Sequence, residues 1–179
     1  MASPQPLSTA SVAALLTASL ETVLAELGAL DGEQARWRPA PDAWCANEIV
    51  GHLIEAEQRG FAGRIMHILQ ADYPTFLTWD QPAVARERHD ELREPADLLR
   101  EFEELRRASL ELVDSLQPHE LTRAGRHPVV GELTIQDLLH EWVFHDRNHL
   151  AQLYDNVKAL AWPFMGNCQR FAMPVQEAK

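Results

Sequence analysis

The chain is poor in the features that announce several common kinds of protein. It has two cysteines in 179 residues, Cys45 and Cys168. They form neither a disulfide framework nor a Cys-x-x-Cys pair, so a reduced, cytoplasmic setting is the expectation. Positive charge is scarce: 16 Lys and Arg stand against 27 Asp and Glu, a formal charge of −11. Generic nucleic-acid binding needs a basic footprint, and an anionic membrane repels so acidic a chain, so neither is an expected partner. No apolar run approaches the roughly 18–20 residues of a membrane span. The opening stretch MASPQPLSTASVAALLTASLETVLAEL lacks a basic leader, and Glu21 and Glu26 interrupt it. It reads as a first helix after a short loose lead-in, not as a signal peptide. There is no solenoid-length repeat, low-complexity tract, Gly-rich phosphate loop or Ser/His/Asp arrangement, and little strand signal.

What remains is an ordinary globular composition, 46% hydrophobic and 24% charged. A chain of this length fits one domain and buries about 70% of its unfolded surface. The expectation is a single domain over 1–179, with 1–7 and about 163–179 irregular.

Four helices follow from apolar periodicity. Over about 8–29 the stripe is Val12, Leu15, Leu16, Leu20, Val23, Leu24 and Leu27, with Ser8 as cap and Gly28 and Gly32 marking the end. Pro39 and Pro41 make WRPAPDAWC a loop. A second helix runs from Ala46 to Gln70, where Cys45 and Glu48 imitate a capping box. Residues 71–94 are the least regular, with Tyr73, Phe76 and Trp79 set among Pro74 and Pro82. Such a long aromatic connector is expected to be functional or packed over something. Pro95 to Leu116 forms the third helix, striped by Leu98, Phe102, Leu105, Leu112 and Leu116. Its Arg100–Glu104 and Glu103–Arg107 pairs belong to a solvated face. LTRAGRHPVVGELT is a loop with room for a short extended piece. Thr134 and Asp137 then open a fourth helix running to Leu160. The pattern predicts an all-α four-helix bundle with long connecting loops. The longer connections, after the second and third helices, leave room for a crossover.

The sharpest local signal is HDRNH, His145 to His149. Side chains four residues apart differ by about 40° around a helix and stand one turn apart, so both imidazoles can reach one cation. They share a side with Leu138, Trp142 and Leu153, which faces the core. The spacing alone also fits two half-buried histidines bonded to carbonyls or carboxylates. His52, on a face with Ile49, Leu53 and Ala56, supplies a third inward nitrogen. Three protein ligands and one exchangeable position are the pattern of a catalytic metal site. His140 points about 140° away from His145. His67, His89, His119 and His127 read as surface or loop residues. Glu55 and Glu141 lie near one turn from His52 and His145, placed to orient those imidazoles from behind or simply solvated. The tryptophans 37, 44, 79, 142 and 162 read as core or pocket wall, with Trp142 beside the metal. Trp44, Trp142 and the Tyr73–Trp79 loop are the expected walls.

The pieces PDAWCANEIVGHLIEAE and HPVVGELTIQDLLHEWVFHDRNHLAQL together resemble the DinB/YfiT-like metalloprotein superfamily, over most of the chain. The resemblance implies a four-helix bundle whose His triad, here His52, His145 and His149, binds a divalent metal, Zn²⁺ or Ni²⁺ foremost. Cys45 stands where members often have Ser or Thr, and Asn148 where they often have His. Cys45 is read as a cap substitute ahead of a nucleophile or ligand.

The resemblance also implies either a metal-dependent hydrolase or a transferase of a low-molecular-weight thiol, acting on a small molecule, with a homodimer as the assembly. Two other readings stand beside it. One is a zincin-like protease in which Asp146 replaces the Glu of HExxH. The other is a non-catalytic metal-binding or stress-related protein whose metal only stabilises the bundle.

Overall fold

The computed structural model of the chain describes residues 5–172. α1 (Thr9–Gly28) begins where extended Ser8 accepts from the Ser11 N–H at 3.1 Å. A single turn, α2 (Gly32–Arg36), follows. The second long helical segment is α3 (Ala46–Glu55), a π-helical turn (Ala56–Phe61) and α4 (Ala62–Gln70) in unbroken succession. α5 (Gln81–Arg88) and a 3₁₀ turn (Asp90–Leu92) lead to α6 (Pro95–Ser115), whose proline sits where no backbone donor is needed. A hairpin of β1 (Ala124–His127) and β2 (Gly131–Thr134) pairs Ala124 with Thr134 and His127 with Gly131. It feeds α7 (Ile135–Ala161) through a capping box, in which Asp137 N–H donates to Thr134 Oγ1 at 3.0 Å and Thr134 N–H to Asp137 Oδ2 at 2.9 Å.

The bundle helices start and stop within a residue of where their caps and stripes place them. The connections hold more structure than expected. Residues 71–94 contain α5, and the stretch before Thr134 folds as the hairpin. Residues 162–172 form two 3₁₀ turns and the short α8 (Gln169–Ala172) in place of an irregular tail. Of the stretches expected to be irregular, residues 1–4 and 173–179 lie outside the described residues. α1 is long and apolar enough to cross a membrane by length and composition, against the expectation that no such run exists. In this fold its Val12, Leu16, Leu20, Val23 and Leu27 are packed inside the bundle.

α1 packs between α6 and α7, and so does α3, so α1 and α3 stand diagonally opposed. The chain therefore crosses the bundle between its first and second long helices and again between its third and fourth. The connections after the second and third helices left room for a crossover: the one after the third is a crossing, the one after the second joins neighbours, and the other crossing uses residues 29–45.

Two apolar clusters fill the interior. One holds Val12, Leu16, Phe61, Ile65, Val113 and Trp142, the other Leu20, Leu53, Ile54, Phe102, Leu150 and Leu153. Between them lies a polar layer. Arg106, fully buried on α6, donates to Glu57 Oε1 at 2.8 Å, Asp146 Oδ2 at 2.7 Å and the Leu16 carbonyl at 3.0 Å. One guanidinium thus ties all four long helical segments together. Ser109 and the Trp142 indole also donate to Glu57.

Two glycines fix local geometry. A Cβ on Gly51 would fall 1.9 Å from Asp90 Oδ2, so only glycine lets the Asp90 turn dock on α3. A Cβ on Gly63 would fall 2.0 Å from the Gln58 carbonyl oxygen, which the widened π turn brings in.

Candidate metal centre

His52 reaches the bundle's edge from α3, and His145 and His149 reach it from successive turns of α7. Their ligand-capable nitrogens all lie within 4.8 Å of one another. His52 Nε2 and His145 Nε2 face each other at 3.0 Å. Two nitrogens bound at about 2.0–2.1 Å to one tetrahedral cation stand about 3.3 Å apart, so the pair is spaced for a shared ion. Only one of two facing neutral nitrogens can donate to the other, whereas a cation satisfies both. His149 Nδ1 lies 2.8 Å from Gln152 Oε1, which sets the proton on Nδ1 and leaves Nε2 free to ligate.

Electrostatics favours neutral ligands. Burial first, then the neighbouring imidazoles, hold His52 down at about 3. Burial, His149 and Arg106 hold His145 at about 4. Burial also lowers His149, with Gln152 and Asp146 opposing. All three are therefore deprotonated at neutral pH, as metal ligation requires. Among the described residues no fourth His, Cys, Asp or Glu joins the group.

The walls differ from the expected ones. Trp44 belongs to the site, stacked on His149 with centroids 6.3 Å apart and tilted over His52 at 5.1 Å. Trp142 does not: it is fully buried, bonded to Glu57, and stacked behind Phe61 at 5.1 Å. Phe61 takes the expected place, with its ring edge-on to His145 at 5.2 Å. Of the aromatic connector, Trp79 lines the site, Phe76 is buried beneath it and Tyr73 is half exposed. Trp37 and Trp162 are exposed.

The two acidic candidates make no hydrogen bond to the imidazoles. Glu55 is engaged by Arg59 and by Arg88 Nη1, the latter at 2.9 Å. It reaches His52 only through its charge. Glu141 stands in the cleft wall beside His145. Gln152, which does bond a ligand ring, was signalled only by its place three residues after His149.

Asp146 turns inward to Arg106 and is 1% exposed, so it cannot act as the protease-like acid of HDRNH. His140 is bonded to the Gln136 carbonyl and the Leu7 N–H, away from the triad. Cys45 is fully buried at the α3 N-cap, where its N–H donates to Glu48 Oε2 at 2.9 Å. Burial pushes its thiol up to about 11, which suits a cap and not a nucleophile.

The triad opens on two sides. A cleft of about 220 Å³ borders His52 and His145, walled by Phe61, Arg64, Trp79, Gln81, His127 and Glu141 among others. A shallower groove of about 470 Å³ borders His149, Trp44 and Gln152. His127, read from sequence as a surface residue, enters the cleft because the hairpin carries it there. The π turn explains why His52, Ala56, Gly60 and Arg64 all line one cleft. An α-helix drifts about 40° every four residues, and the wider turn takes up that drift.

A family model for the DinB superfamily matches residues 15–153. The Bacillus subtilis (strain 168) protein YuaE, uncharacterized, is 26% identical over 141 residues, 72% of this chain and 86% of its own. Among solved structures, YfiT from Bacillus subtilis superposes with a TM-score of 0.79 at 17% identity, covering 90% of this chain and 94% of that one. YfiT is described as a probable metal-dependent hydrolase with an unusual four-helix bundle topology. A mutant of the mycothiol-dependent maleylpyruvate isomerase matches with a TM-score of 0.64 at 12% identity, over 82% of this chain and 61% of that one.

Proposed function

The chain belongs to the DinB superfamily, and from that footing we propose that it is a divalent-metal-dependent enzyme acting on a small molecule, a hydrolase or a transferase of a low-molecular-weight thiol. The observation that carries the proposal is the triad itself: three neutral imidazole donors within 4.8 Å, no fourth protein donor among the described residues, and a cleft that opens directly on two of them. A structural metal site is closed by protein, whereas a catalytic one keeps a position for water or substrate. A divalent cation, Zn²⁺ or Ni²⁺, held by these rings supplies Lewis acidity that draws the pKa of water or a thiol toward neutrality.

The chain's own residues do the rest. Gln152 holds the His149 ring and fixes its tautomer. Trp44 packs on the ring of His149 and Phe61 on that of His145, which restricts both. Glu141, exposed in the cleft wall, is the carboxylate we assign to take a proton from a nucleophile there. Its oxygens are not spent on the ligand rings, which distinguishes this role from the orienting one expected from sequence. Hydrolysis and thiol transfer share this apparatus up to the identity of the nucleophile. Resemblance to YfiT supports the first, and to the mycothiol-dependent isomerase the second. The proposal includes a cytoplasmic homodimer, for which exposed Val129, Val130 and Phe144 offer apolar surface.

The test is a cobalt-substituted sample. A small thiol should perturb its visible spectrum, and the effect should vanish in His149→Ala. A spectrum indifferent to thiols, hydroxide and small anions alike would overturn the enzyme reading and leave a closed, stabilising metal.

A further inference from the structure

The arginines of this chain are almost all spoken for. Arg36, Arg38, Arg88, Arg93, Arg106, Arg123 and Arg147, each at least partly buried, give their guanidinium protons to carboxylates, hydroxyls or carbonyls. Arg64 is the exception. Among the described residues it is the one partly buried arginine with no acceptor, and its Nε is closed off from solvent and unpaired. Its position is nevertheless well defined. The guanidinium carbon lies 5.2 Å from the Trp79 ring centroid and 5.6 Å from that of Phe76, so two aromatic faces hold the cation. The same side chain lines the 220 Å³ cleft that borders His52 and His145. A part-desolvated guanidinium fixed by rings and left without an acceptor is a donor fork prepared for an incoming anion.

We propose that Arg64 is a specificity-determining residue that binds a carboxylate of the substrate, so that the substrates of this site are small carboxylic acids whose reacting end lies toward the histidine triad. This assignment rests on the reading of the triad as a metal site open to the cleft. Three features select a carboxylate over other ligands. The planar fork of the guanidinium matches two carboxylate oxygens. Glu141 lines the same cleft, so its charge opposes a second negative charge and disfavours a phosphate dianion. Phe61 and Trp79 give the body of a small organic acid an apolar wall. Glu141 is the acidic residue in this cleft, yet it forms no ion pair with Arg64, so the fork stays available to a ligand.

The experiment is an NMR titration of the full-length protein, metal-free and metal-loaded, with acetate, benzoate and glutarate. Acetamide, benzamide and inorganic phosphate serve as controls. At least one carboxylate should bind metal-free wild type more tightly than its neutral amide or phosphate does. Arg64→Gln should weaken that carboxylate by about tenfold to a hundredfold, the scale of a lost hydrogen bond to a charged group. It should leave the amide unchanged, which also certifies the fold of the variant. Arg64→Lys should fall between, since an ammonium keeps the charge but not the fork. Carboxylate binding that needs the metal and ignores Arg64→Gln would overturn this proposal while leaving the metal-enzyme reading intact. So would phosphate preferred over every carboxylate, or no carboxylate bound at tens of millimolar. Arg64-dependent carboxylate binding in a protein whose triad takes up no divalent metal when it is offered would support this proposal and overturn the metal-enzyme reading.

Discussion

Replacing Arg106 by methionine isolates the polar layer on which the site is mounted. Arg106, Glu57 and Asp146 are at most 1% exposed, and the guanidinium donates to both carboxylates and to the Leu16 carbonyl. Burial pulls the guanidinium's pKa down, but Asp146 and Glu57 outweigh it and hold it above its usual value. Methionine fills similar space beside Phe102 and Trp142 but leaves two carboxylates buried without a cation. Removing one partner of a buried pair costs about 3–5 kcal/mol. For a domain of this size that is a fall in Tm of about 6–20 °C. Burial already raises Glu57 against the pull of Arg106 and Ser109, and without Arg106 it rises further. A carboxyl whose folded pKa lies above its unfolded one takes up a proton on folding, so the variant's deficit should shrink as pH falls from 7 toward 5. Urea melts at several pH values measure both effects. Replacing all three charges with apolar residues should recover most of the loss, because a buried ion triad is weak evidence for net stability. An Arg106→Met protein within about 1 kcal/mol of wild type would refute the reasoning, as would a triple variant no better than the single one.

The remaining predictions concern the triad. His52→Ala, His145→Ala and His149→Ala should each lower metal affinity by more than the ~10–100-fold that losing a hydrogen-bonded neighbour costs, while His140→Ala should not, as read by elemental analysis of protein purified without a metal-affinity column. Chelation should lower Tm: an ion at a thousand times its Kd adds ~4 kcal/mol, or ~8–16 °C here, and an unchanged melt would contradict the site. The metal-free protein should lose stability between pH 6.5 and 5. The folded pKa values of His52 and His145 lie below the unfolded value of 6.5, so their contribution is complete above pH 6.5 and lost as the unfolded chain takes protons that the fold refuses. At pH 5 each imidazole accounts for ~2 kcal/mol before screening by solvent at the cleft, and a flat urea midpoint across that window would contradict the assignment.

The bundle was legible because its signals are local. Ser8, Pro95 and the Thr134–Asp137 box each satisfy or remove orphan backbone donors within one turn, so the helix starts needed no tertiary context. The crossings were less legible. Nothing in residues 29–45 says whether the chain passes to a neighbouring helix or to the diagonal one, since that choice is made by which faces pack. The π turn was invisible for a similar reason. AEQRGF carries no residue type that demands an extra position per turn, and only the clash of a Gly63 Cβ with the Gln58 carbonyl records it.

The site divides along the same line. The triad could be read because a four-residue step in one helix and one inward histidine in another are both properties of single helices. Its surroundings arise from contacts between segments far apart in the chain. Trp142 shares the His145 side of α7, yet a step of three residues swings it about 60°. That rotation carries it from the cleft to the core, where Glu57 accepts its indole proton. Arg106 sits in a helix most of whose other charges are exposed. Its burial follows from the acidic partners that α7 and the π turn supply, Asp146 from within HDRNH itself. That motif is therefore double-faced, with two imidazoles outward for a metal and one carboxylate inward for the guanidinium. The ligands are thereby rigidly backed: a rotation of α7 that moved His145 and His149 would also break the Arg106–Asp146 pair.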